Sequence, residues 1–176
     1  MPISANQGAV FLRIADQSMN AAIRPTTPTD IDPLVQLAER TLVFRPHEIE
    51  ALREVLVDFF KLNQQYGHVA VTYETDGKIL GFAYYAPNTM TDGTWALYWI
   101  AVSQQTQAKG IGGQLLRHTE DDVRTKKGRQ LLIETSSLPH YELTRKFYLK
   151  HHYQQVAIVP DFYAEKDDMV IFRKKL

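Results

Sequence analysis

The spacing of apolar residues along the chain predicts a mixture of helices and strands. Residues 22–24, Ala-Ile-Arg, can form a short first strand that ends at Pro25. Apolar residues then recur every three or four positions in residues 31–38 and again in residues 49–60. Each of these two segments is therefore predicted to be a helix with one apolar face, whose simplest role is packing against a core.

The next part of the chain alternates apolar and other residues, as β-strands do. Residues 69–73 and 79–85 form two such runs, and Asp76-Gly77 between them is a dipeptide typical of tight hairpin turns. A third run covers residues 95–102, after a loop. We therefore expect three successive antiparallel strands in the middle of the chain.

Helical spacing returns after residue 110 and ends near Lys126-Lys-Gly128, where cations and a glycine favour a helix end. The apolar run at residues 130–135 is typical of a buried strand. A helix joins it to the strand at residues 95–102, so these two strands are predicted to be parallel. Three further elements complete the chain: a helix at residues 142–150 and strands at residues 156–159 and 169–173.

This order of elements predicts a mixed α/β fold, with a mostly antiparallel sheet, one parallel helix crossover and flanking helices. The length of 176 residues, with 44% apolar and 23% charged residues, suits one globular domain with a substantial core. We expect this domain to span residues 21–176. Residues 1–20 look poorly suited to a core and are expected to form a leader, either an arm or an extra strand.

The charge and the cysteine content exclude several classes of function. Lys+Arg and Asp+Glu both number 20, so the chain has no overall field that would attract nucleic acid or an anionic membrane. The chain contains no cysteine and therefore no disulfide, thiolate metal site or cysteine nucleophile. No transmembrane segment or signal peptide is recognised, so we expect a cytoplasmic protein. Whether it is a monomer or a homodimer is left open.

A glycine turn between the strand at residues 95–102 and the third helix carries the clearest chemical signal. Its sequence is Gln107-Ala-Lys-Gly-Ile-Gly112. A helix start exposes N–H groups that no earlier carbonyl can accept, and the helix dipole adds positive charge there, so such a turn can bind an anion. Residue 115 is Leu115, so the third glycine of a dinucleotide fingerprint is missing, and no Gly-Lys-Ser/Thr follows. An ordinary glycine-rich helix start remains the alternative.

The turn resembles the Gln-x-x-Gly-x-Gly loop that binds the coenzyme A pyrophosphate in the GNAT superfamily of N-acetyltransferases. A second motif, Phe147-Tyr148 followed by Tyr153, matches that family's last helix at the right spacing. The order of elements also matches the GNAT fold, so the resemblance covers about residues 21–174. Three positions depart from the family pattern, because its usual Asn, Ala and Gly are replaced by Tyr141, Thr144 and His152. His152 in place of glycine suggests a less strained turn.

The resemblance implies acetyl-CoA as the cosubstrate. The pantetheine arm would lie between the strand that ends at Val102 and the strand at residues 131–135, and would pair with the backbone of Ile100, Ala101 and Val102. The Val102 N–H would then face the thioester carbonyl and stabilise the oxyanion that forms there. The pyrophosphate would be held by the residues of the glycine turn: Gln107, Ala108, Lys109, Gly110, Ile111, Gly112 and Gly113.

Acetyl transfer to an amine needs an acid for the leaving thiolate and a base for the amine. Tyr148 matches the acid of the family. A phenol has a pKa of about 10 and a thiol of about 8.5, so full proton transfer is uphill by roughly 2 kcal/mol, and Tyr148 must be tuned or act mainly by hydrogen bonding. The strand at residues 97–102 contains no acid, so Glu134 on the next strand is the first candidate base, directly or through water. His140 is a weaker candidate.

Asp161 and Tyr163 are expected in the loop between the last two strands, where they would bind an acceptor ammonium and close the pocket. The alternatives are structural: Asp161 shapes a turn, and Glu134 hydrogen-bonds only to backbone. No metal site is expected. His151-His152 are adjacent residues at a helix end, and such side chains point apart.

We therefore expect an N-acetyltransferase that transfers acetyl from acetyl-CoA to the primary amine of a small molecule or amino acid by direct attack. The alternatives are acetylation of a protein or peptide N-terminus and a non-catalytic acyl-CoA-binding regulatory domain, which the Phe147-Tyr148 pair disfavours. Freeing a lysine-like amine at pH 7 costs about 4.6 kcal/mol, against about 1.4 kcal/mol for an α-amine. A weakly basic amine, such as that of an amino acid, is the expected acceptor.

Overall fold

The computed structural model describes residues 21–105 and 110–176, and every structural statement below refers to these residues. The predictions for residues 1–20 and for Gln107, Ala108 and Lys109 lie outside this part of the chain. The helices are α1 (Ile31–Arg40), α2 (Pro46–Lys61), α3 (Ile111–Thr125) and α4 (Glu142–Lys150). The strands are β1 (Ala21–Pro25), β2 (Val69–Thr75), β3 (Lys78–Pro87), β4 (Thr94–Val102), β5 (Gln130–Ser136), β6 (Gln154–Ala164) and β7 (Asp167–Lys175).

The strands of the described residues form one sheet in the order β1-β2-β3-β4-β5-β7-β6. All neighbours in this sheet are antiparallel except β4 and β5, which are parallel and are connected through α3. The predicted fold class, a mixed and mostly antiparallel sheet with one parallel helix crossover, is confirmed.

The parallel pair β4–β5 separates before either strand ends. Pairing joins Thr94–Leu97 to Gln130–Ile133, although β4 continues for five more residues and β5 for three. A bulge in β4 lies at the same point, because Tyr98 is an extra residue between two that pair with β3. A bulge bends its strand, so β4 turns away from β5 beyond Leu97. The result is a gap between the ends of β4 and β5, with its apex at the pair Leu97 and Ile133.

The sheet lies between two layers of helices, and β3 shows how side-chain alternation builds both cores. Phe82 and Tyr84 pack with the apolar faces of α1 and α2, whereas Ala83 and Tyr85 pack with α3 on the other side. Successive side chains of a strand point to opposite faces, so an apolar run such as β3 can serve two cores. No helix of the described residues is long and apolar enough to cross a membrane.

The end of α3 differs in detail from the sequence-based expectation. The left-handed residue is Lys127, with φ of 61°, and not Gly128. The glycine is needed for a different reason, since a Cβ there would lie 2.3 Å from Val123 Cγ1 and 2.8 Å from Trp95 Cδ1. Gly128 therefore lets the chain pass directly over the core as it enters β5.

The final hairpin is longer than predicted, and the placement of Asp161 and Tyr163 in a loop is wrong, because both lie in β6. The register shifts between Val159 and Ala164. Pro160 has no N–H to donate, and Asp161 adopts a φ of 52° and donates its N–H to the Asp168 side chain at 2.9 Å. These irregularities interrupt the apolar alternation while the strand itself continues.

A buried acid on α3 ties the helix to β7 and to the chain after α4. Glu120 accepts hydrogen bonds from Lys174 Nζ at 2.8 and 2.9 Å and from the Tyr153 hydroxyl at 3.1 Å. Its carboxylate is almost fully buried, so these donors replace the water it has lost. The cluster fixes α3 relative to the segment that follows α4.

We expect Lys174→Ala to destabilise the fold by about 3 kcal/mol, because it leaves the buried Glu120 carboxylate without its hydrogen-bonded cation and with only the Arg124 guanidinium, 3.7 Å away. The matched control is Lys126→Ala, which removes a lysine from an exposed ion pair with Asp122 and should cost less than about 1 kcal/mol. Urea denaturation of both variants measures the difference. Equal losses would show that burial of the Glu120 pair does not matter for stability.

Candidate active site

The gap between β4 and β5 exposes a specific set of backbone groups. The Ser103 N–H donates to the Leu80 carbonyl on β3 at 2.8 Å. Because backbone groups of an antiparallel strand alternate in direction, those of Ala101 also face β3, whereas the N–H and C=O groups of Ile100 and Val102 point into the gap. The geometry thus supplies two residues, Ile100 and Val102, whose backbone can pair with an extended ligand lying in the gap. The predicted pairing of such a ligand with the Ala101 backbone does not fit, because those groups face β3.

The described part of the glycine turn has the geometry of an anion site. Gly110 precedes α3 and adopts a φ of 75°, and no described heavy atom lies within 4 Å of the position that a Cβ would take there. The Gln114 N–H makes the first helical hydrogen bond, to the Gly110 carbonyl at 3.1 Å. The amides of Ile111, Gly112 and Gly113 come earlier in the helix, where no preceding helical carbonyl is available. They can therefore donate to an anion.

Gly112 and Gly113 have a second role, which the sequence analysis missed. A Cβ on Gly112 would lie 3.5 Å from the Phe147 ring, and one on Gly113 would lie 2.9 Å from His151 Cε1. The first distance is an ordinary contact, but the second would require the His151 ring to shift. The glycines thus allow α4 to pack closely on the start of α3, and this contact positions Tyr148 relative to the anion site.

Tyr148 is buried among aromatic rings, with ring centroids of Phe147, Tyr153 and Phe172 at 5.4 to 5.9 Å. Burial raises the pKa of its phenol above the ordinary value. The hydroxyl has no hydrogen-bond partner among the described residues, yet no fully buried polar side-chain atom in this part of the chain is unpaired. Tyr148 is among the residues that line a cavity at the apex of the gap.

This cavity has a volume of about 320 Å³. We call it the apex cavity; its walls come from the α1–α2 connection, the first turns of α2, the ends of β4 and β5, the start of α4, and Tyr163 on β6. It brings together six of the predicted site residues: Ile100, Ala101, Val102, Glu134, Tyr148 and Tyr163. His140 and Asp161 are not among its lining residues.

Glu134 follows Ile133, the last residue of β5 that pairs with β4, and its exposed side chain lines the apex cavity. Burial, and then the charge of Glu134, raise the pKa of Tyr163 to about 12. The two side chains therefore lie within electrostatic range of each other. Glu134 is level with Tyr98 on β4, which places Val102 about 13 Å further along that strand.

Asp161 lies outside the apex cavity and supports the final hairpin. Its Oδ1 accepts the Lys166 N–H at 2.6 Å, which closes the turn between β6 and β7. This contact corresponds to the structural alternative considered for this residue. Binding of an acceptor ammonium by Asp161 stays a prediction.

A polar cluster on the apex cavity was missed in the sequence analysis. The Arg45 guanidinium pairs with Asp167, a buried carboxylate that also accepts the Ser136 hydroxyl. The Arg45 backbone N–H donates to Glu48 Oε2 at 2.6 Å, and the Tyr141 hydroxyl lies 3.4 Å from the same oxygen. An acid three residues after a helix cap is a known capping signal, and it could have identified Glu48 as an ordered side chain.

The expectation for His152 is wrong. It adopts a φ of 66°, the left-handed conformation that the family's glycine would take without strain. Histidine therefore occupies the turn at some energetic cost and does not relax it. Within the described residues, no group of three His, Cys, Asp or Glu side chains is arranged to hold a metal ion.

Comparisons with known proteins agree with this geometry. The family model described as acetyltransferase (GNAT) domain matches residues 65–155. A crystal structure from Desulfovibrio desulfuricans, assigned to the GNAT family of acetyltransferases, is 33% identical, covers 88% of this chain and 98% of its own, and superposes with a TM-score of 0.83. The search of curated proteins found no match.

More distant structures share the fold. PaiA N-acetyltransferase from Thermoplasma acidophilum, in complex with coenzyme A, is 18% identical, with a TM-score of 0.70 and coverage of 90% of this chain and 100% of its own. Ribosomal-protein-alanine N-acetyltransferase from Brucella melitensis is 19% identical, with a TM-score of 0.72 and coverage of 88% and 99%. Taken with the family match and the 33% identical structure, the gap, the glycine turn and the buried tyrosine show that this chain belongs to the GNAT family of acetyltransferases.

Proposed function

We propose that this protein is an N-acetyltransferase that transfers acetyl from acetyl-CoA to the primary amine of a small molecule by direct attack. Membership of the GNAT family implies acyl transfer with acetyl-CoA as cosubstrate. The observation that carries the finer proposal is the gap between β4 and β5, which ends in a cavity with Glu134 and Tyr148 on its walls. An amine in that cavity would meet an acid, a base and free backbone donors.

The residues of the gap fit coenzyme A. The backbone of Ile100 and Val102 would pair with the pantetheine arm, and the amides of residues 111–113 would bind the pyrophosphate, for which Gly110 leaves room. Contributions from Gln107, Ala108 and Lys109 stay predictions. Acetyl-CoA supplies an activated thioester, from which an amine takes the acetyl group as a new amide while the thiol is released.

Tyr148 is proposed to donate its hydroxyl proton toward the leaving sulfur. Burial keeps this phenol protonated and raises its pKa further above that of a thiol. Complete proton transfer to the sulfur is therefore less favourable than for a free tyrosine. Tyr148 acts mainly by hydrogen bonding to the sulfur as negative charge develops there.

Glu134 is proposed to receive the proton that the attacking amine loses. It lies at the apex of the gap, about 13 Å along β4 from the level of Val102 and about 7 Å from that of Ile100. These separations favour a proton path through water, one of the two routes considered from the sequence. We extend the proposed role of thioester donor from Val102 to Ile100, whose N–H also faces the gap and lies nearer to Glu134.

The size of the apex cavity supports a small-molecule acceptor. A volume of about 320 Å³ lies within the range usual for small-ligand pockets. The competing proposal is a peptide N-terminus as acceptor, for which the ribosomal-protein-alanine N-acetyltransferase from Brucella melitensis offers an analogy of fold alone. A third candidate, a non-catalytic acyl-CoA-binding domain, would give no role to Tyr148 and Glu134 on the cavity wall.

Thiol release from acetyl-CoA, measured against a panel of small amines and short peptides, tests the proposal. We expect release with at least one small amine and identification of its amide by mass spectrometry. Turnover of peptides alone would favour N-terminal acetylation. Binding of acetyl-CoA without any release would favour the regulatory domain.

Gly110→Asp should abolish measurable acetyl-CoA binding, because it places a carboxylate where the pyrophosphate is proposed to lie. Gly77→Asp is the matched control: its φ of 73° and open surroundings reproduce the backbone strain of Gly110, but it lies in the β2–β3 hairpin. Isothermal titration calorimetry compares the two variants. Normal affinity in Gly110→Asp would place the cofactor elsewhere.

Tyr148→Phe should lower kcat about a hundredfold or more and leave the KM for acetyl-CoA nearly unchanged, since it removes the proposed acid. Tyr153→Phe is the control, because this tyrosine lies in the same aromatic cluster and its hydroxyl binds Glu120 instead of lining the cavity. Steady-state kinetics of both variants decide the point. A Tyr148→Phe enzyme with normal kcat would reduce the residue to a packing role.

The raised pKa of Tyr148 sets the alkaline limit of activity. The protonated phenol of Tyr148 is present below its folded-state pKa and is lost only as pH rises through that pKa. Burial places this pKa above the ordinary value of about 10. We therefore expect kcat to rise as the amine loses its proton and to show no decline up to pH 10. A descending limb between pH 8 and 9, with the fold intact by circular dichroism, would contradict this assignment.

A further inference from the structure

We infer that Glu48 is a second acidic group of the acceptor site and that the preferred acceptor is a primary ammonium carried on an aromatic group, without a carboxylate of its own. This inference rests on the proposed function, which it deepens by naming the class of acceptor. It follows from the charges and the rings that line the apex cavity beside the proposed base Glu134.

The positive charge on the cavity wall is already neutralised. Arg45 is the one lysine or arginine among its described lining residues, and its guanidinium pairs with the buried Asp167. Hydrogen bonding to Asp167 raises the pKa of Arg45, which keeps the pair charged and in place. An acceptor carboxylate would therefore find no free cation here.

The negative charge on the wall is available to a ligand. Glu48 and Glu134 both line the apex cavity, from α2 and β5 respectively. Neither carboxylate forms an ion pair with another described residue. Two carboxylates in a partly enclosed site favour a cation and repel an anion. The remaining basic side chain on the wall, His47, is exposed to solvent.

Glu48 is held ready by the start of α2. Its Oε2 accepts the Arg45 N–H at 2.6 Å, and the Tyr141 hydroxyl lies 3.4 and 3.5 Å from its two oxygens. Burial, and then the charge of Glu48, raise the pKa of Tyr141, so this phenol stays protonated and able to donate. A carboxylate can accept about four hydrogen bonds, so Glu48 keeps capacity for an ammonium.

Aromatic rings form much of the remaining wall. Phe44 and Trp99 pack against each other with centroids 5.2 Å apart, and Tyr98 on β4 and Tyr163 on β6 also line the cavity. Rings of this kind pack against flat apolar groups, and their faces attract a cation. Combined with the two carboxylates, they fit a flat apolar group joined to an ammonium better than a polyamine or an amino acid.

Three acceptors of matched structure test the inference on the full chain. Phenylalanine is phenethylamine with an added carboxylate. Butylamine is phenethylamine with the ring replaced by a short alkyl chain. We expect kcat/KM for phenethylamine to exceed both others by at least tenfold in the thiol-release assay. Equal or better use of phenylalanine, or of butylamine, would overturn the inference.

A charge-neutral variant tests Glu48 itself. Glu48→Gln retains an oxygen for the Arg45 N–H, and should raise the KM for phenethylamine at least tenfold while kcat and the KM for acetyl-CoA change by less than about twofold. Glu50→Gln is the control, because it makes the same change on an exposed side chain of α2 outside the cavity. An unchanged KM in folded Glu48→Gln would overturn the role of Glu48. If that variant does not fold, the three-acceptor comparison decides alone.

Calorimetry separates this inference from the proposed function. Phenethylamine is titrated into the wild-type protein in the presence of coenzyme A, where no transfer can occur. Binding together with turnover supports both proposals. Binding without turnover of any amine supports the acceptor site and overturns the proposed function, whereas turnover of other amines with no binding of phenethylamine overturns the acceptor class alone.

Discussion

The early separation of β4 from β5 is the constraint on which the rest of the site depends. A β4–β5 ladder that continued to the strand ends would satisfy the backbone of Ile100 and Val102 with the neighbouring strand. The extra residue Tyr98 bends β4, so that these groups face a gap instead. Ile100 and Val102 are partly exposed and lie on the cavity, so their backbone groups are available to an extended ligand in the gap.

The same separation joins two layers of the protein that the sheet would otherwise keep apart. The α1–α2 connection lies on one face, and α4 with Tyr148 packs into the core of the other. At the gap both layers reach one cavity, so a tyrosine from one side and a glutamate from α2 on the other line the same space. Close packing of α4 on the glycines of α3 then fixes the tyrosine relative to the anion site.

The charge that the cavity presents to a ligand depends on which side chains form ion pairs, more than on the overall composition of the chain. The chain as a whole has equal numbers of basic and acidic residues, which suggests no preference for a charged acceptor. Within the cavity, however, Arg45 is neutralised by Asp167, a residue more than a hundred positions away in sequence. Among the described residues of the wall, the acidic groups without an ion pair are Glu48 and Glu134, and only the tertiary structure reveals this imbalance.

The sequence by itself determined the order of elements, the parallel crossover through α3, the glycine turn and the Phe147-Tyr148 motif. Each of these depends on local spacing, because apolar periodicity and turn residues act over a few positions. The backbone of the final hairpin was harder to predict, because β6 continues past Asp161 with the help of a hydrogen bond from the Asp161 N–H to the Asp168 side chain. The strained His152 was missed for a similar reason, because conformation there follows from packing around the helix end and not from residue preference.

The composition of the acceptor wall was decided only by the tertiary structure. Glu48 is, in sequence, one of several acids on an amphipathic helix; its capping position marks it as an ordered side chain, but nothing in the local pattern shows that it lines a cavity. Its place on the cavity, next to Tyr141, depends on a contact between residues that are 93 positions apart. Local periodicity can identify the helix and its buried face, but which polar residue faces the cavity depends on how the helix is placed against the sheet.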